Sequence, residues 1–221
     1  MSAFHFEALP ANRRNAIRIL YLSPGAPGSA LFGSLRVVSL DDARFEALSY
    51  EWGHDQERHH TLSLQDGNGE IRITEALHSA LAQLRYQPPS TDDRVIWADG
   101  ICINQDDLEE RAQQVAIMEL IYRRASRVIT YIGPEKDESS DAIKLGSALR
   151  VYAMPGRGAP SRSTPEDLVN AGFPPLWDPS WQALQRLFLR TWVSSSRSPS
   201  LATLQPQISP SCIGQPLLVC S

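Results

Sequence analysis

No apolar run in this 221-residue chain approaches the roughly 18–20 residues that cross a bilayer, so a membrane-spanning protein is not expected. Cysteine is scarce. The three present, Cys102, Cys212 and Cys220, form no Cys-x-x-Cys pair, which argues against a disulfide framework or a zinc ribbon and suits a reducing, cytoplasmic compartment. A basic excess is also missing: 21 Lys and Arg against 25 Asp and Glu give a net charge of −4 and a pI near 5.7. Arg13-Arg14 and Arg123-Arg124 are too short to make a nucleic-acid patch, and no nucleic-acid partner is expected. Neither a Gly-x-Gly-x-x-Gly turn nor a Walker loop occurs, which leaves a Rossmann dehydrogenase or a P-loop ATPase unsupported and gives no sign of a bound cofactor. The opening stretch MSAFHFEALPANRRN has no apolar core ahead of its arginines, so a secretory leader is not expected. What remains is 42% hydrophobic and 21% charged residues, the make-up of an ordinary globular chain.

The apolar pattern reads as short strands interleaved with helices. Ile17 to Leu22, Leu35 to Val38 and Glu46 to Tyr50 are strand candidates, and Thr61–Gln65 and Glu70–Ile73 flank the turn-rich Asp66-Gly67-Asn68-Gly69, which predicts a hairpin. Thr74 resembles an N-cap for a helix with Leu77, Ala80, Leu81 and Leu84 on one face, ended by Pro88-Pro89. Arg94 to Ala98 is a compact buried-strand candidate, as is Arg127 to Gly133. Between them, Leu108, Ala112, Val115, Met118, Tyr122 and Ala125 recur at spacings of three and four, which predicts one long helix over 106–126 with those residues as its apolar face. Asp106 followed by Glu109 fits a capping-box variant at its start. The alternating order predicts an α/β fold with an open, mainly parallel sheet flanked by helices.

Beyond Gly133 the signal weakens. Ser140–Tyr152 and the segment opened by Asp178-Pro179, with Trp181, Leu184, Leu187 and Phe188, read as helices separated by a Pro/Gly/Ser-rich loop. The last 31 residues hold one charged residue, eight serines and four prolines. Two readings fit them: a tail without fixed structure, or a gene-model artefact. The chain thus divides into an N-terminal arm (1–16), a core (17–135), a helical extension (136–190) and a low-complexity tail (191–221).

Three segments carry a family pattern: Phe45-Glu46-Ala47-Leu48-Ser49-Tyr50-Glu51-Trp52-Gly53, then Ile96-Trp97-Ala98-Asp99-Gly100-Ile101-Cys102-Ile103-Asn104-Gln105, then Glu110-Arg111-Ala112-Gln113-Gln114-Val115 with Met118 and Ile121-Tyr122. In order and spacing they resemble the fungal heterokaryon-incompatibility (HET) domain over about residues 17–135, with a weaker match at Trp181–Trp192. The resemblance implies a TIR-like sheet and a role in non-self recognition and programmed cell death, through self-association or binding to another incompatibility protein. It also implies a second reading, because some TIR domains cleave NAD at the nicotinamide–ribose bond; NAD would then be substrate. A third reading is an inactive fragment, since the chain departs from the family pattern after Arg190-Thr191-Trp192.

In an open α/β sheet, ligands sit beyond the carboxyl ends of the strands, which here gathers Ser49–Gly53 and Asp99–Glu110. The window Asp92–Arg111 holds seven acids and two arginines, a local net charge of −5. Carboxylates there suit ribose hydroxyls or a developing glycosyl cation better than a diphosphate. By the TIR analogy Glu110 is the candidate catalytic residue and Asp99 its assistant, each with a structural alternative: an ion pair with Arg111 or Arg94, or helix-dipole compensation, for Glu110, and turn capping for Asp99. Ser49, Tyr50, Trp52, Gly53, Asn104 and Gln105 are the candidate substrate-binding residues. Cys102, between two isoleucines in an acidic region, reads as core rather than nucleophile. His54, His59 and His60 read as a solvated loop, so no metal site is expected.

Overall fold

A computed structural model describes residues 4–10, 15–52, 58–65, 69–134, 138–153, 164–189 and 217–220. Eight strands form one sheet: β1 (Ala16–Leu22), β2 (Leu31–Ser39), β3 (Glu46–Tyr50), β4 (His60–Leu64), β5 (Glu70–Ile73), β6 (Arg94–Trp97), β7 (Arg127–Tyr131) and β8 (Leu217–Cys220), in the spatial order β5-β4-β2-β1-β6-β3-β7-β8. The α/β class is as the sequence predicts. The sheet, however, is mixed rather than mainly parallel: β3 runs parallel to β6 and β7, and β2 to β4, while β1 is antiparallel to both its neighbours. The reason is connection length. β1 returns to β2 through a short turn, which only an antiparallel pair permits, whereas β6 reaches β7 through helices. β8 lies in the stretch whose composition points to no sustained structure, and it pairs antiparallel with β7.

The two-residue period of the strands splits the apolar side chains into two cores, one on each face. Leu20 and Leu22, Leu48 and Tyr50, Ile96, and Ile129 and Tyr131 share one core with Leu77, Ala80, Leu81 and Leu84 of α1 (Glu75–Leu84). Their alternates Ile17, Ile19, Ala47 and Trp97 share the other with Cys102, Ile103, Ile121 and Tyr122. Alternation of Cβ direction makes each central strand serve both layers. Thr74 caps α1 as its sequence suggests, its hydroxyl accepting from Leu77 N–H at 3.3 Å. Beyond β7, α5 (Ser139–Tyr152) packs on α7 (Pro179–Phe188) through Ala142, Ile143, Leu145, Ala183, Leu184 and Leu187; α6 (Pro165–Asn170) lies between them in sequence.

The predicted 106–126 helix is two helices, α3 (Leu108–Ala116) and α4 (Met118–Arg124), preceded by a single turn, α2 (Asp99–Cys102). Asp107, not Asp106, is the N-cap: its carboxylate accepts from Glu109 and Glu110 N–H, both at 3.0 Å. The expected apolar face also fails in α3. Leu108 and Val115 are 68% and 54% exposed, and the buried residues are Glu110 and Gln114. The cause lies in β1. β6 pairs with β1 only along Leu20–Leu22, so the backbone of β1 before Leu20 lacks a strand on that side and needs polar partners. Gln114 Nε2 donates to the Ala16 carbonyl at 3.0 Å. Beside it, Glu110 pairs with Arg18 at 2.5 and 2.9 Å, both side chains almost wholly buried.

Removing one partner of that pair strands a buried charge. Glu110→Ala is therefore expected to lower stability by about 3–5 kcal/mol, while Leu108→Glu on the same helix changes it by no more than about 0.5 kcal/mol. Urea denaturation of both variants checks the assignment of the faces; equal losses would contradict it.

Candidate functional site

β6, β3 and β7 are parallel neighbours, so their carboxyl ends open on one edge of the sheet. At the opposite end the same strands are held by Glu46. Its carboxylate accepts from Arg94 Nε at 2.5 Å at the start of β6 and pairs with Arg127 at 2.8 Å at the start of β7. Arg94 and its neighbours Asp92 and Asp93 therefore lie at the amino-terminal edge of β6, away from Asp99. The seven acids of the Asp92–Arg111 window form no single acidic rim; the strand separates them.

At the carboxyl edge Asp99 is the centre. It follows β6 and opens α2, partly buried among the chains leaving β3 and β6. Its Oδ2 accepts from Trp52 Nε1 at 3.1 Å and its Oδ1 from Gly100 N–H at 2.8 Å. The Tyr50 hydroxyl lies beside the same carboxylate. Tyr50 and Trp52 stack with centroids 6.4 Å apart and ring planes 9° off parallel, and the Arg58 guanidinium lies 6.0 Å over the Trp52 ring. Gln105 Nε2 donates to the Asp99 carbonyl at 2.8 Å, tying the loop after α2 back to its start.

Burial is the main influence on the titration of this cluster. It raises the Asp99 carboxyl above its ordinary range, against the opposing pull of the Trp52, Tyr50 and Gly100 donors. It raises the Tyr50 phenol well above its ordinary value, with the Asp99 charge adding to the effect. Tyr122, from α4, is raised for the same two reasons. Its hydroxyl meets Ser49 on the other face of β3, and its ring sits edge-on to Trp97 at 5.7 Å. Two phenols on opposite faces of the sheet thus feel one carboxylate at its edge.

The structure brings Tyr50, Trp52, Asp99 and Gln105 into this one region, whereas Ser49 faces Tyr122 on the other side of β3. Gly53 lies outside the described residues. Asn104 faces the other way: its amide oxygen accepts from Asp106 N–H at 3.3 Å and its own N–H donates to Glu110 Oε1 at 2.7 Å. Glu110 does not join the Asp99 cluster. One oxygen takes both Arg18 and Asn104, the other takes Arg18, so both oxygens of the expected catalytic carboxylate are engaged within the fold. It pairs with Arg18, not with the Arg111 or Arg94 that sequence proximity suggests. Tyr122 was missed because its helical spacing marks it as an apolar-face residue. Only the tertiary fold shows its hydroxyl reaching Ser49.

The HET (heterokaryon incompatibility protein) family profile matches residues 45–195, more than half of the chain. The chain belongs to the heterokaryon incompatibility family. The match starts at Phe45, where the first quoted motif begins, rather than near residue 17, and it runs past residue 135 through α5 to α7, where the weaker Trp181–Trp192 resemblance lies. A stretch of 102 residues is 40% identical to heterokaryon incompatibility protein 6, OR allele, of Neurospora crassa; it covers 42% of this chain and 15% of that protein. No solved structure matches. Within the HET match, Cys102 is fully buried with its thiol pushed up to about 12 by desolvation, as befits a core residue.

Two outcomes test the cluster. The native state holds a proton on Asp99 to higher pH than the unfolded chain does, so its stability contribution is complete below the unfolded value and lost as pH rises through the folded one. The stability of the native protein relative to Asp99→Asn is therefore expected to fall from about pH 4 upward; a flat difference in denaturant titrations would contradict the cause given. A Cβ at Gly100 would collide with the Tyr50 hydroxyl, so Gly100→Ala is expected to cost about 1–3 kcal/mol, partly recovered by adding Tyr50→Phe.

Proposed function

We propose that this HET-family chain is a recognition module in fungal non-self discrimination, acting in programmed cell death through regulated self-association or binding to another incompatibility protein. Family membership and the Neurospora relative support the first part of that reading. The observation that favours a recognition module over a hydrolase is the internal use of both candidate carboxylates. Glu110 is sealed by Arg18, and Asp99 is held by Trp52, Tyr50 and Gly100. A general acid or an oxocarbenium stabiliser has to offer its oxygens to substrate; these offer theirs to the fold. The three parallel strands β6, β3 and β7, with helices following them, support a TIR-like arrangement, and the scarcity of cysteine supports a cytoplasmic protein.

The second reading, NAD cleavage at the nicotinamide–ribose bond, keeps one supporting feature. Asp99 is only partly buried and lies beside the Trp52 ring, a surface on which a nicotinamide or adenine can stack. The full chain, alone and fused to an oligomerising tag, is incubated with NAD, and in parallel is expressed under an inducible promoter in hyphae. Growth arrest without NAD loss is the expected result. NAD turnover that disappears in a folded Asp99→Asn protein would overturn the module reading and make the cluster a catalytic site.

A further inference from the structure

A second group of chemistry-bearing side chains lies on the far side of the sheet order, separated from β6 by β2 and β1. His60 is the first residue of β4, not part of a solvated loop, and it faces the first turn of α1. There Glu75 and His78 stand three residues apart, and so on one side of the helix. His60 Nε2 contacts Glu75 Oε2. The imidazoles of His60 and His78 stack with centroids 4.3 Å apart and planes 25° from parallel. One ligand atom from each of the three side chains lies within 4.8 Å of the others, the cluster of this kind among the described residues.

We propose that His60, Glu75 and His78 form a binding site for a zinc-class divalent cation, which clamps the start of α1 to β4. Two imidazoles and one carboxylate are the donor set that borderline ions prefer over calcium or magnesium, which take all-oxygen shells. Metal–nitrogen bonds of about 2.0–2.1 Å put neighbouring tetrahedral ligands roughly 3.3 Å apart, and rotation about the side-chain bonds of half-exposed His60 and exposed Glu75 closes the remaining gap. The frame on both sides is rigid. His60 pairs with Ile73 across β4 and β5, and α1 is anchored by its four buried apolar residues and by the Thr74 cap. A further shell is partly built, since Ser79 Oγ donates to Glu75 Oε1 at 2.8 Å and leaves Oε2 for the cation. Three protein ligands leave the fourth position to water, so the ion stays exchangeable.

The arrangement also explains why two histidines stack beside a carboxylate. A His–Glu ion pair needs one imidazole. The second, His78, stacks on His60 and completes a three-ligand face.

The test uses the tag-free full chain titrated with cobalt(II), followed by the visible absorption of the bound ion and by displacement with zinc(II). Uptake of one equivalent is expected, with affinity reduced at least ~10-fold in His78→Ala and in Glu75→Gln, and unchanged in His59→Ala, which lies outside the three-residue cluster. Zinc is expected to raise the Tm of the native protein and not that of His78→Ala. Glu75 is exposed, so Glu75→Gln keeps the fold, and far-UV circular dichroism of each metal-free variant checks this. The native chain failing to bind cobalt, or either ligand variant binding it as tightly as the native chain, would overturn the proposal.

Discussion

The buried pair of Arg18 and Glu110 is the constraint on which the arrangement of this domain turns. Two opposite charges taken out of water are tolerated only when each finds its full complement of partners. Here Arg18 reaches Glu110, the Cys102 carbonyl and the Glu7 carbonyl, with the Phe6 ring 5.1 Å from its guanidinium carbon. One interaction therefore joins the N-terminal segment, β1, the end of α2 and the start of α3. It also sets which side of α3 faces inward, and so leaves Leu108 and Val115 to solvent. The loop Ile103–Asp107 is held from both ends, by Asn104 on Glu110 and by Gln105 on the Asp99 carbonyl. The position of Asp99 at the sheet edge thus depends partly on a salt bridge on the other side of that loop.

A second pattern runs along the three parallel strands. Glu46 gathers Arg94 and Arg127 at their amino ends, and Asp99 gathers Trp52 and Tyr50 at their carboxyl ends. One carboxylate closes each end of the triplet: Glu46 of β3 ties to β6 and β7, and Asp99, following β6, ties to the end of β3. In a protein of net charge −4, Glu46, Asp99 and Glu110 are engaged inside the fold in this way. The absence of the continuous acidic rim that the linear sequence suggests has another cause: β6 stands between Asp92–Asp93 and Asp99.

The strand candidates and the N-cap of α1 were legible because they rest on local rules. Short, mostly apolar runs mark β1, β3, β6 and β7, and the apolar positions of α1 read correctly to the residue. The spacing over 106–126 is equally regular, yet half of it misleads. Apolar residues at helical intervals say that a face exists; they do not say that it meets a core. In α3 the neighbouring surface is the unpaired backbone of β1 and a guanidinium, so the polar side is the buried one. Among the site candidates, Tyr50, Trp52 and Asp99 were readable as strand-end residues. Tyr122 was not, because its spacing accounts for the ring and carries no information about the hydroxyl.

The sequence by itself determined the α/β class, the family and the position of the candidate edge, because alternation, capping and motif order are properties of neighbours along the chain. Tertiary structure alone decided the mixed direction of the sheet, the pairing of Glu110 with Arg18 across 92 residues, and the meeting of His60 with Glu75 and His78. These depend on which surfaces are left with unsatisfied polar groups or charges after the strands have paired. That balance is struck between segments far apart in sequence, and no local pattern records it.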